Sequence, residues 1–214
     1  MLRAACCAAL LSTAALAQVR VNVNVDLASY FHQPPQQVLV LEQSRIPDEE
    51  RPVVLFLAER AHQPPAVIWA QRQRGMRWCD IGLRYGLGGD VFHVALNSDP
   101  GPVYGPVYGY YRRVPQSQWR TMRLDDRDIV NLVNLRFYSE HYGYAPERVA
   151  AWRTGGESFV RIHEVANHEG WRDRRAESRE FRKDEHERSK ERRQEWKERR
   201  KEEREDRRDE RHWR

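Results

Sequence analysis

The chain has 214 residues, with 37 Lys plus Arg against 32 Asp plus Glu and a formal net charge of +5. The positive excess sits at one end: residues 18–170 hold 17 arginines, 17 carboxylates and no lysine, while residues 171–214 hold 19 basic and 15 acidic residues. A neutral body argues against a nucleic-acid-binding face, which needs a strong positive excess for phosphate contacts.

Residues 1–17 read as a signal peptide. Arg3 supplies the positive start, a short apolar run follows, and Ala15-Leu16-Ala17 fits the small-x-small cleavage rule, so the mature chain is expected to begin at Gln18. The run is too short to span a bilayer. No later run is longer, so no transmembrane segment is expected after cleavage, and the protein is expected to be periplasmic or secreted. Cleavage leaves Cys79 as the only cysteine, which rules out an internal disulfide. Cys79 is expected to be a small, partly buried side chain, not a reactive thiol.

Residues 18–46 are expected to be β-like or irregular. "VRVNVNVDL" alternates apolar and polar residues with period two, and "QVLVL" is a second candidate strand. Residues 47–86 form a first predicted helical unit, with helices at about 48–61, 65–74 and 77–85. Pro47-Asp48-Glu49-Glu50 opens it, placing acids at the positive end of the helix dipole. "GLRYGLGGD" then reads as a helix end at Gly86 and a loose turn, since it lacks the Lys-Ser/Thr of a phosphate loop.

Residues 87–124 form a Gly/Pro/Tyr-rich connector. Val91–Leu96 is a candidate strand, and the tandem "PVYGPVYG" is expected to favour turns or extended chain. Tyr104, Tyr108, Tyr110, Tyr111, Arg112 and Arg113 are the candidate ligand or partner surface. The plainer expectation is that these tyrosines cover the edges of the helical units. Residues 125–170 form the second predicted unit, with helices at about 126–141, 146–154 and 158–168. Asp125 or Asp126 is placed to cap it, and Ile129, Leu132, Val133 and Phe137 make an apolar stripe.

The two units carry one pattern. Residues 56–81 laid over 137–162 without a gap share Phe56/Phe137, Glu59/Glu140, Pro65/Pro146, Ala70/Ala151, Arg72/Arg153, Gly75/Gly156 and Ile81/Ile162. The prolines suit the first position of a helix, and the glycines fall where a left-handed cap is wanted. One such unit is too small for a good core, and two packed together are not. The expected fold is therefore mainly α with minor β: two copies of a three-helix unit plus a long charged C-terminal helix.

Residues 171–214 have too little apolar surface for a core, but they lack Gly and Pro and are rich in helix-forming Arg, Glu and Lys. Opposite charges recur three or four apart, as in Glu187–Lys190 and Glu195–Arg199. A solvated helix is expected.

No catalytic constellation, cofactor motif or metal-ligand spacing emerges. "HEVANHEG" places His163 and His168 five apart, off the four-residue step that puts two histidines on one helical face. Asp125, Asp126 and Asp128 crowd one helix start, where capping explains them more simply than acid–base work.

"YGYAPERVAAWRTGGESFVRI", residues 142–162, resembles a pattern in uncharacterised exported bacterial proteins, YG-x-x-P-E-R-V followed by R-x-x-G-x-S-F-x-x-I. The first unit departs from it at His62–Pro65 and Met76–Trp78. The resemblance implies a bacterial envelope protein and brings no functional residues. The function expected is a non-catalytic interaction or structural module, with the tail as an arm toward a protein or an anionic envelope surface. The alternative is an envelope hydrolase or carbohydrate binder using the tyrosine-rich connector.

Overall fold

The computed structural model describes residues 23–168 and, beyond them, residues 180, 183, 184, 186–188, 190–194, 197 and 200. The expected signal peptide at residues 1–17, the first residues of the candidate strand at Val19–Leu27, and most of the expected C-terminal helix at residues 171–214 lie outside the described residues. Among the described residues every regular element is helical, and none is a strand.

Residues 23–30 form α1. It is followed by α2 (Pro35–Gln43), α3 (Arg51–Ala61), α4 (Pro65–Gln73), α5 (Trp78–Arg84), a 3-10 turn (Gly89–Phe92), α6 (Gly101–Arg113), a second 3-10 turn (Gln116–Thr121), α7 (Asp126–Tyr142), α8 (Pro146–Thr154) and α9 (Phe159–His168). The six helices expected in the two units are present, each within three residues of its expected bounds.

Four expectations are corrected. The alternating stretch ending at Leu27 is helical from residue 23, because Leu27, Ala28 and Phe31 share a buried face while Asn24 and Asp26 bond to other helices. "QVLVL" lies in α2, where Val38 and Leu41, three apart, face the core. Val91–Leu96 is no strand: Val91 and Phe92 end a 3-10 turn. The tandem Pro-Val-Tyr-Gly stretch is helix α6. Tyr104, Val107, Tyr108 and Tyr111 are buried at i, i+3, i+4 and i+7 spacing, and that buried stripe overrides the low helix propensity of Gly and the interior Pro106.

α7 lies at the centre and packs against α3, α5, α6, α8 and α9. Phe31, Phe56, Trp78, Phe159 and α7's own Phe137 are among the largest fully buried side chains of the core. Phe137 stacks near Phe31 with ring centres 6.2 Å apart, and Phe159 stacks on Tyr138 at 5.6 Å. The two 3-10 turns pack against each other. Gly88 makes this possible: a Cβ there would lie 1.7 Å from the Arg120 carbonyl oxygen. The turn expected to be loose is therefore closely packed.

A local frame recurs three times. His32 and Arg45, His62 and Gly75, and Gly143 and Gly156 are pairs of left-handed residues, each pair thirteen residues apart. Between them lies a nine-residue helix that starts on Pro35, Pro65 or Pro146. The preceding residues Pro34, Pro64 and Ala145 are extended, with φ of −57°, −58° and −62°. Gln33 N–H donates to Ala28 O, and Gln63 N–H to Ala58 O, both at 2.9 Å, closing α1 and α3 in the same way. The first occurrence is also written in the sequence: His32-Gln33-Pro34-Pro35 repeats as His62-Gln63-Pro64-Pro65, thirty residues on.

Left-handed backbone costs a side-chain-bearing residue roughly 1–2 kcal/mol, and glycine avoids this. His62 has φ 52°. His62→Gly is expected to raise stability by up to about 1 kcal/mol after glycine's extra unfolded-state entropy, while β-branched His62→Val lowers it. Paired urea melts read both signs.

Candidate functional site

The tyrosine segment is mostly interior. Tyr104, Tyr108 and Tyr111 are buried and Tyr110 is half-buried, leaving Arg112 and Arg113 exposed. Tyr108 donates to Val94 O at 2.5 Å and Tyr111 to Gly89 O at 2.6 Å. Burial raises all three buried phenols, which therefore stay protonated. His93 sits between Tyr108, Tyr111 and Trp119, with ring centres 5.8, 4.9 and 4.6 Å away. Burial, then the Arg136 charge, lowers its pKa. Tyr108 and Tyr111 thus tie α6 back to earlier residues of the connector itself, Tyr104 donates to Asn131 O of α7 at 3.5 Å, and the three offer no outward stacking platform.

The shared arginines have matching surroundings. Arg72 lies 4.7 Å from the Trp78 ring centre, and Arg153 lies 4.7 Å from that of Phe159. Arg72 Nη1 donates to Met76 O and Arg153 Nη1 to Glu157 O, both at 3.2 Å. Arg72 Nη2 reaches Glu50 at 2.9 Å, and Arg153 Nη2 reaches Glu49 at 3.1 Å. Two adjacent carboxylates before α3 therefore serve both arginines. A flat guanidinium can stack on a ring and present several donors at once, which an ammonium cannot.

The carboxylates at the α7 start do not cap α7 with their side chains. Asp126 accepts from the backbone N–H of Trp78, the first residue of α5, at 2.8 Å, and pairs with Arg72 at 2.5 Å. Asp125 pairs with Arg77 at 2.7 Å. Asp128 is half-buried and its pKa is raised, first by desolvation and then by Asp125. Cys79 is buried against Met122, and burial raises its thiol pKa.

One cluster has a different character. Tyr142 Oη lies 2.6 Å from Asp26 Oδ2 and 2.7 Å from His163 Nδ1, and His141 Nε2 lies 3.4 Å from Asp26 Oδ1. His163 is fully buried. Donor counting assigns one arrangement: the imidazole Nδ1–H donates to the phenol oxygen, and the phenol O–H donates to the carboxylate. Burial alone would raise Asp26, but donation from His141 and Tyr142 outweighs it and holds the carboxyl below its usual range. Burial pushes His163 down to about 4, against the opposing pull of Asp26. The counterparts of Tyr142 and His163 in the first unit, 81 residues earlier, are Ala61 and Gly82. The shared frame does not require this chain. It joins α1 to α7 and α9, and only the His163 spacing drew attention to it from the sequence.

Two open clefts flank α6. One, of about 760 Å³, is bordered by Asp99, Glu147, Thr154, Arg188 and Arg192. The other, of about 800 Å³, is bordered by Pro102, Pro106, Asp125, Asp128 and Arg153. Among the described residues no group of three His, Cys, Asp or Glu side chains is placed to hold a metal ion. No described helix is long and apolar enough to cross a membrane.

Removing Arg72 would strand Glu50 and Asp126 together. Arg72→Ala is expected to cost about 2–3 kcal/mol, and Arg72→Lys to recover less than half of it, read by chemical denaturation. The pH dependence follows from His163. Its folded pKa lies below the unfolded value of about 6.5, so between the two the unfolded state binds the extra proton. Stability is then complete above about pH 6.5 and falls by up to about 3 kcal/mol as pH drops toward 4. His163→Gln, which cannot take up a proton there, is expected to flatten that window in thermal melts. No protein-family model, curated protein or solved structure matches the chain.

Proposed function

We propose that this chain is an exported bacterial envelope protein that works without catalysis. Its body is a duplicated helical unit, once over residues 47–86 and once over 125–170, acting as an interaction or structural module. Residues 171–214 are its contact arm, a long charged helix.

The observation that carries this reading is the repetition of the Arg72 bonds at Arg153. A ring, a turn carbonyl and a carboxylate from the 49–50 pair recur at matching places. Duplicated units with a common internal frame suit a protein that presents surfaces. Several half-buried ionic groups join one helix to another, as when Asp126 joins α7 to α5 and Arg72 of α4. The described residues between 180 and 200 are helical and exposed, which supports a solvated arm. The arm carries a net +4 on a neutral body. Attraction to anionic envelope surfaces would then come from the arm and be screened over about 8 Å at physiological ionic strength.

The test is affinity capture from envelope extract with the mature chain, with and without residues 171–214. The full chain is expected to retain partners that the shortened chain loses, and that capture should weaken as salt rises. Capture indifferent to both deletion and salt would assign the contact to the body and sink the arm's role.

A further inference from the structure

Among the described residues, three of the four large exposed apolar side chains, Leu39 at 46%, Val40 at 52% and Val67 at 40%, lie on α2 and α4. These two helices pack side by side. The outward stripe of α2 is Gln36, Leu39, Val40 and Gln43, all exposed, at i, i+3, i+4 and i+7. That is the spacing of a helix face that meets another helix. In a chain with 32% charged residues, this stripe has none. The one charged residue of α2, Glu42, is half-buried and accepts from Asn24 at 2.7 Å.

We infer that the outer face of α2 is a self-association surface, on which a second copy of this chain packs its own α2 antiparallel about a two-fold axis.

Two observations select a second copy as the occupant. The first is continuity of the hairpin frame. Thirty residues on, the residues equivalent to Leu39 and Val40 are Trp69 and Ala70 on α4, and both are half-buried. In α2, the first hairpin helix, the same positions lie open. What suits them is another helix of this kind.

The second is the composition of the stripe, which reads nearly the same in both directions: Gln, Leu, Val, Gln. In an antiparallel two-fold pair, Gln36 faces Gln43 of the other copy and Leu39 faces Val40, each contact made twice. A glutamine amide both donates and accepts, so two of them satisfy each other. No like charges are brought together, which is the usual obstacle to packing a surface on itself. A charged partner would find no complement on this stripe. Charge attraction is the task of the arm in the proposed function, so self-association through α2 stands independently of that reading.

The test is sedimentation equilibrium on the mature full-length chain over a wide concentration range. Wild type is expected to show a monomer–dimer equilibrium. Leu39→Glu with Val40→Glu is expected to raise the dissociation constant at least tenfold, with an unchanged circular dichroism spectrum, because both positions are exposed. Orientation is read by cysteine pairing: Gln36→Cys mixed with Gln43→Cys should cross-link faster than either variant alone. Three results would overturn the inference: a wild type that stays monomeric, a dimer indifferent to the double glutamate change, or binding of the stripe to neutral lipid vesicles in place of a second copy. Faster cross-linking within each single variant would overturn the antiparallel arrangement.

Discussion

The fold depends on arginines placed over aromatic rings. Arg72 on Trp78 and Arg153 on Phe159 each close the turn between a nine-residue helix and the helix after it. Each then reaches across to the segment before α3. A stacked guanidinium keeps its plane desolvated and its edge free for several in-plane donors. This gives physical meaning to a body with arginine as its sole strongly basic residue. Arg60, Arg136 and Arg148 also lie over rings, with Arg148 placed on both Tyr144 and Trp152. In these places arginine acts as a flat packing element with a polar rim.

The central helix α7 works in a related way through its polar groups. Arg136 donates to the carbonyls of Val91 and His93 and pairs with Glu140, holding the end of the first 3-10 turn. Asn134 donates to Glu49 O at 2.8 Å, joining α7 to the start of α3. Tyr138 donates to Phe159 O at 2.8 Å, joining it to α9. Buried apolar side chains supply the non-directional part of the stability, and these bonds select one packing among many.

Much of this was legible in the sequence where local chemistry and tertiary demand agree. Pro65, Pro146, Gly75 and Gly156 marked helix starts and stops through their own backbone preferences, so α3, α4, α5, α7, α8 and α9 could be placed. Local sequence signals and the fold diverge where distant contacts decide. Asn24 and Asp26 look like the polar half of a strand's alternation, yet their partners lie on α2, α3 and α7. The α6 stripe of Tyr104, Val107, Tyr108 and Tyr111 was present in the letters, but Gly and Pro are stronger local signals than a four-residue periodicity. The left-handed residues His32, Arg45 and His62 were hidden because glycine is the residue that normally marks such positions, so the first hairpin was missed. Of the candidate surface, Tyr104, Tyr108 and Tyr111 proved to be interior. The Asp26–Tyr142–His163 chain draws its members from helices far apart in sequence, and no spacing rule could assemble it.

The thirteen-residue interval between left-handed positions constrains how such a chain can vary in length. Adding one residue inside α4 would turn everything after it by about 100°. That would carry Ile68 or Arg72 off its face and move Gly75 away from the turn it makes. Insertions and deletions are therefore tolerable in only a few places, chiefly the stretch near Ser98 between the first 3-10 turn and α6, where the chain is neither helical nor deeply buried. A gene encoding this architecture gains or loses material most readily as whole hairpins. Related chains should then differ in the number of hairpins they carry and in the length of that one connection, while the interval inside each hairpin stays constant.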